Sequence, residues 1–216
     1  MHNEVNNLIA IENILKKKNL QNPLPKIIAV SKTFPVSSIL PLINHGHIHF
    51  GENKIQESID KWTDLKKNYS NLKLHMIGKL QTNKVKFAIK LFDYIHSVDN
   101  KKLIKKIYDE QIKQNKKIKM FIQVNIGDES QKSGIEIDNV NELILYCKEL
   151  NLDLVGLMCI PPVDKNPDKY FKEIKSLNDK LNLKELSMGM SGDYIKAAEY
   201  SSTYLRIGSS IFGNRN

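Results

Sequence analysis

Lys26-Ile27-Ile28-Ala29-Val30-Ser31-Lys32-Thr33 is the stretch that decides how this chain is read. Its short apolar run reads as a strand, and that strand delivers a primary amine, Lys32, at its C-terminal tip. Seven more strand-like runs follow at fairly even spacing: Ile48 to Gly51, Leu74 to Gly78, Tyr94 to Val98, Lys119 to Ile126, Leu154 to Cys159, Leu186 to Met188 and Tyr204 to Ile207. Most segments between them read as amphipathic helix. From Leu103 through Ile104, Ile107 and Tyr108 to Ile112, apolar residues return every three or four positions. Asp99 and Asn100 precede that helix as caps, and Asp138 and Asn139 stand at the start of another.

Alternating strands and helices with no break in composition predict a single α/β domain over residues 1–216. Eight strands in a chain of this length favour a (β/α)8 TIM barrel over an open doubly wound sheet. After the eighth strand only about nine residues remain, too few for a full outer helix. An extra N-terminal helix, Val5 to Lys18, is expected to close that gap in the ring. Pro161-Pro162 and Pro167 punctuate the exit from strand six.

Composition narrows the function classes. Hydrophobic residues make up 41% and charged residues 26%, ordinary for a globular protein. No run of about 18 apolar residues exists, so no membrane span is expected. The opening Met1-His2-Asn3-Glu4-Val5 lacks the pattern of a secretory signal. Cys147 and Cys159 form no close-spaced pair, and a reducing cytoplasm is the expected location. The net charge is +9, yet only Arg206 and Arg215 are arginines among 33 basic residues. The lysines spread over helix surfaces, at Lys16 to Lys18, Lys66-Lys67, Lys101-Lys102 and Lys116-Lys117. Nucleic-acid readers lean on arginine for bidentate contacts, so no nucleic acid partner is expected.

In an α/β barrel the loops leaving the strands form the reactive face. An amine held there against apolar surroundings is disfavoured as ammonium and can attack an aldehyde. Gly208-Ser209-Ser210 directly follows strand eight, and Ser191 follows strand seven. Loops at those two places often bind phosphate through backbone N–H groups and hydroxyls. Alternation places Tyr204, Arg206 and Gly208 on one face of strand eight. An inward arginine must find an acceptor, either in a structural ion pair or on a ligand nitrogen. His45, His47, His49, His75 and His96 suggest a metal at first sight. No Asp or Glu stands at the strand-eight end to complete a barrel metal site, so no metal is expected and these read as ordinary core or surface histidines. An amine facing a phosphate-type corner is the donor set of a pyridoxal phosphate (PLP) site.

The same residues fall in ordered blocks that resemble the PLP-binding homeostasis family, whose fold is that of the alanine racemase N-terminal barrel. The blocks are Ala29 to Thr33, His49 to Asn53, His75 to Lys84, Val124-Asn125-Ile126 with Glu129, Lys132-Ser133-Gly134, Gly156-Leu157-Met158, Ser187 to Ser191 with Asp193, and Leu205 to Gly213. The resemblance implies that Lys32 is the Schiff-base lysine. It implies that Ser191, Gly208 and Ser209 hold the phosphate, that Arg206 faces the pyridine nitrogen, and that Asn53 and Met158 lie near the ring. Ser209 stands where threonine is frequent, Ser201 where glycine is usual, and Gly192 follows the strand-seven serine.

Arginine cannot accept a proton, so it keeps the facing nitrogen unprotonated and the ring a poor electron sink. Racemases of this fold add an acid/base from a further β-domain of the partner subunit, as the resemblance implies, and no such domain is expected here. The expected function is therefore PLP homeostasis: a non-catalytic, cytoplasmic, monomeric PLP carrier meeting PLP-dependent apoenzymes transiently. A weak amino-acid racemase or lyase is the alternative.

Overall fold

In the computed structural model, which describes residues 2–18, 23–127, 133–162 and 166–213, eight parallel strands close into a barrel in sequence order. They are β1 (Lys26–Val30), β2 (His49–Glu52), β3 (Lys73–Met76), β4 (Tyr94–Val98), β5 (Lys119–Val124), β6 (Leu154–Cys159), β7 (Glu185–Ser187) and β8 (Tyr204–Ile207). The helices are α1 (Asn3–Lys18), α2 (Val36–Asn44), α3 (Ile55–Asn68), α4 (Val85–Leu91), α5 (Lys101–Gln114), α6 (Val140–Glu149), α7 (Pro167–Lys180), α8 (Tyr194–Glu199) and α9 (Ser209–Phe212). The (β/α)8 expectation holds. None of the described helices is long and apolar enough to cross a membrane.

Local signals explain the helix ends. The Asn100 side chain accepts from the Leu103 N–H and caps α5, so Asn100 rather than Asp99 is the cap. That helix stops at Asn115, which takes the left-handed conformation that asparagine tolerates. Pro167 opens α7, where its missing N–H costs nothing. Asn139 starts α6 without a side-chain cap.

Apolar residues divide between two layers. Alternate strand residues point outward against the helices, with Leu205 and Ile207 among them. The others point inward, where Ile28, Tyr94, Phe121, Met158 and Tyr204 fill the barrel. α1 turns Val5, Leu8, Ile11 and Leu15 onto the outer layer, each contributing about 1.5–3 kcal/mol on burial. Its Asn7 side chain donates to the Ile211 carbonyl in α9 at 2.9 Å. The first helix thus fills the ring beside a last helix only 4 residues long.

Candidate functional site

A cavity of about 700 Å³ opens at the C-terminal ends of the strands. It brings together Lys32 beyond β1, Asn53 beyond β2, Ser191 beyond β7, Arg206 on β8, and Gly208 and Ser209 just after it. These are six of the seven site residues expected from sequence. Met158 is not on the lining: it is fully buried inside the barrel, packed with Ile28, Phe121 and Tyr204. Glu129 and Lys132 lie outside the described residues. Gly78 lets the exit of β3 press onto Asn53, for a Cβ there would fall 2.7 Å from the Asn53 Cβ.

The lysine flank is ordered by a buried charge network. Thr33, next to Lys32, has φ 70, a left-handed backbone that a β-branched residue adopts only under constraint. Its N–H donates to Glu57 Oε1 at 2.6 Å. Lys61, from the next turn of α3, donates to Glu57 Oε1 at 2.9 Å, Glu52 Oε1 at 3.0 Å and the Ser31 carbonyl at 2.9 Å. Burial would raise the Glu57 carboxyl, but the Lys61 ammonium and the Thr33 N–H hold it below its usual range. Glu52 is wholly buried, and its Oε1 also accepts from Ser31 Oγ at 2.8 Å and Trp62 Nε1 at 3.0 Å. The residues on both sides of Lys32 are therefore tied to α3.

The strand-seven and strand-eight corner converges on one oxygen. Ser191 Oγ accepts from the Gly208 N–H at 3.3 Å and the Ser210 N–H at 3.2 Å. Backbone donors aimed at one point, with hydroxyls alongside, suit an anion. Asp193 steadies the loop by accepting from the Met190 N–H at 2.6 Å. Away from this corner, before the start of β8, Ser201 has φ 62, the left-handed region that glycine enters at least cost.

Arg206, on β8 just before this corner, is 4% exposed. Its Nη1 donates to Ser187 Oγ at 2.7 Å and its Nη2 to the Cys159 carbonyl at 2.8 Å. Both acceptors are neutral, and no described carboxylate lies within ion-pair distance, so the structural ion pair left open by the sequence is not formed. Burial lowers the guanidinium's hold on its proton, with Cys159 and Asp193 pulling the other way. The Cys159 thiol is pushed up to about 12 by the same burial, so it is inert.

Of the histidines, His75 and His96 lie in the core, as expected, while His45 is exposed and His47 and His49 are half-buried. His49, His75 and His96, on β2, β3 and β4, are hydrogen-bonded to one another, and His96 reaches Ser187. Among the described residues no three potential ligands gather in a way that would hold a metal ion.

The cavity fits a phosphorylated aldehyde with a polar ring. It offers an amine, a guanidinium and a convergent amide corner, and Asn53 Oδ1 is buried there with no hydrogen-bond partner, an atom that calls for a donor. Sequence reading missed Glu52, Glu57, Lys61, Trp62 and Ser187 as supports. Only Glu52 and Ser187 stood within quoted motifs, and nothing in the linear pattern pairs them with their partners.

The Alanine racemase, N-terminal domain family matches residues 8–216. A pyridoxal phosphate homeostasis protein of Aquifex aeolicus (strain VF5) is 40% identical over 200 residues, 88% of this chain and 87% of that protein. Among solved structures, PipY of Synechococcus elongatus PCC7942 without PLP superposes with a TM-score of 0.87 at 30% identity, covering 98% of this chain and 100% of that one. The same protein with PLP bound gives a TM-score of 0.84 at 30% identity, over 94% and 99% of the two chains.

Proposed function

This chain belongs to the alanine racemase N-terminal domain family and, within it, to the pyridoxal phosphate homeostasis proteins, and from that membership we propose that it binds PLP at the strand-end cavity and serves PLP homeostasis. The observation that carries the reading is the convergence of Lys32, Arg206 and the Ser191–Gly208–Ser209 corner on one cavity.

In this reading Lys32 joins the aldehyde as a Schiff base, while Ser191, Gly208 and Ser209 hold the phosphate. Arg206 faces the pyridine nitrogen and Asn53 lies beside the ring. Met158 supports the floor from within the barrel. When bound, PLP supplies an electrophilic aldehyde on an electron-withdrawing ring. Arg206 limits that power, because a group that only donates leaves the nitrogen unprotonated.

The protein acts as a holder of PLP rather than an enzyme. Apart from Lys32, the described lining carries no tyrosine, histidine, cysteine or carboxylate, so the second acid/base that a two-base racemase needs has no described candidate. The carrier works in the cytoplasm as a monomer and passes PLP transiently to PLP-dependent apoenzymes.

Adding PLP to the purified protein should give a visible absorption band that borohydride abolishes, leaving the label on Lys32 in peptide mapping. Lys32→Ala should lose the label and keep weaker PLP binding through the phosphate corner. A label on another lysine sinks the assignment. Amino-acid racemisation on the order of 1 s⁻¹ or faster, in the range of real enzymes, would establish the racemase alternative instead.

A further inference from the structure

Behind Arg206 a continuous row of hydrogen bonds crosses the barrel interior. His49 Nδ1 lies 2.9 Å from His75 Nε2, His75 Nδ1 lies 2.9 Å from His96 Nε2, and His96 Nδ1 lies 2.9 Å from Ser187 Oγ. Ser187 Oγ then accepts from Arg206 Nη1 at 2.7 Å. The outer end, His49, lines a separate cavity at the N-terminal mouth together with Lys26 and His47. The inner rings are clamped: His75 stacks on Tyr94 with centroids 4.2 Å apart, and His96 on Phe121 at 4.3 Å.

A count of hydrogens fixes the direction of the row. Burial holds His75 and His96 well below their ordinary range and lowers His49 to about 4, so each ring carries one hydrogen at neutral pH. Arginine only donates, and Ser187 has one hydroxyl hydrogen. Among the described residues the acceptor within its reach is His96 Nδ1. His96 must then carry its hydrogen on Nε2 and donate to His75 Nδ1. His75 donates in turn to His49 Nδ1, and the row ends in the His49 Nε2–H. Every ring therefore turns its lone pair towards Arg206 and its hydrogen away.

We propose that His49, His75, His96 and Ser187 are positioning residues that form a one-way dipole relay standing in for a counter-ion to Arg206. A carboxylate at Ser187's place would neutralise the guanidinium. The relay instead gives Nη1 an acceptor backed by aligned neutral dipoles, with the Cys159 carbonyl taking Nη2, and leaves the positive charge directed into the cavity. The relay rests on the proposed function in one respect: the group that this charge acts upon is the ring nitrogen of PLP.

The tautomers are open to ¹⁵N-histidine NMR on the cofactor-free protein at pH 7. All three rings should be neutral and carry hydrogen on Nε2; an Nδ1–H tautomer or a protonated ring at any of them overturns the relay. In Ser187→Ala the inner donor is lost, so the signals of His75 and His49 should shift along with that of His96. The absorption band of bound PLP should shift as well, with PLP retained. If only His96 responds and the band stays, the row is mere packing and the proposal falls. Should Ser187→Ala fail to fold, His49→Asn at the half-buried outer end is expected to shift His96 two links away, and an unmoved His96 counts against the relay. A protein that takes up no PLP defeats the proposed function alone, and the relay is then judged on its tautomers.

Discussion

Two cations face the same cavity from paired strands, and they are held by opposite means. Lys32 follows β1, and the residues around it are fastened by carboxylates: Glu52 and Glu57, with Lys61 between them. Arg206 sits on β8, where Ile28 of β1 is its register partner, and it is held by a hydroxyl and a carbonyl. The difference separates two tasks. A charge network over-determines a strained backbone, as the left-handed Thr33 requires, at a cost in charge that never reaches the ligand. A neutral network holds a side chain just as closely and leaves its charge to act.

Removing the centre of the charged flank should have the largest effect. Glu52→Ala leaves Lys61 with Glu57 as its remaining carboxylate, strips the acceptor from Trp62 Nε1 and leaves Ser31 Oγ only the long contact to the Gly51 carbonyl at 3.4 Å. About 3–5 kcal/mol of stability should be lost, as for other broken buried pairs, read from the denaturant midpoint. A loss below about 1 kcal/mol, typical of surface pairs, would break the contrast.

Arg206→Met should cost less, about 1–3 kcal/mol, because it orphans only neutral acceptors. Its effect on the spectrum of bound PLP should nevertheless exceed that of any change on the lysine flank short of Lys32 itself. A cost as large as that of Glu52→Ala would mean that the two flanks are built alike.

The neutral flank should also carry an acid signature. His49 titrates near 4 in the folded chain, lowered chiefly by burial, against about 6.5 when unfolded. Above that range both states are neutral and the residue adds no pH dependence. As pH falls below it the unfolded chain gains the proton first, so stability drops, until the folded ring also titrates near pH 4. The slope is at most about 1.4 kcal/mol per pH unit, reduced by the partial exposure of His49. His49→Asn should flatten the stability profile between pH 6.5 and 4 by roughly 1 kcal/mol per unit or less; an unchanged profile would show that the outer ring is charged in the fold.

The smallest effect lies at Ser201, away from both flanks. Ser201→Gly relieves the left-handed strain and should gain about 0.5–1 kcal/mol in thermal or chemical unfolding, with PLP binding unchanged.

Strand positions were legible where apolar runs are long and cleanly bounded, as at Tyr94–Val98, Leu154–Cys159 and Tyr204–Ile207. Elsewhere the run overshoots the ladder. Ile126 continues the apolar pattern of β5, but pairing stops at Val124. Six of the seven candidate residues gather in one cavity because a barrel maps strand ends onto one mouth. Met158 lies deeper, inside the barrel; its motif says nothing of depth along the strand. The supports were hidden for a different reason. His49, His75 and His96 lie 26 and 21 residues apart, and only closure brings their rings to hydrogen-bond distance. Thr33 and Ser201 give no warning of their left-handed backbones, which the surrounding contacts impose against residue preference.

The pairing of β1 with β8 also sets when the site can exist during folding. Ile28 and Arg206 are neighbours across the last seam of the barrel, although almost the whole domain lies between them in sequence. Loop-closure entropy makes such a contact a late one. An open barrel could carry seven well-formed strands and still present Lys32 without Arg206 or the serine corner. A ligand that needs both flanks recognises only the sealed barrel, so its binding free energy is spent wholly on that final seam. PLP in this protein should then act as a thermodynamic latch: in hydrogen exchange its addition should slow the β1 and β8 amides before those of β4 and β5.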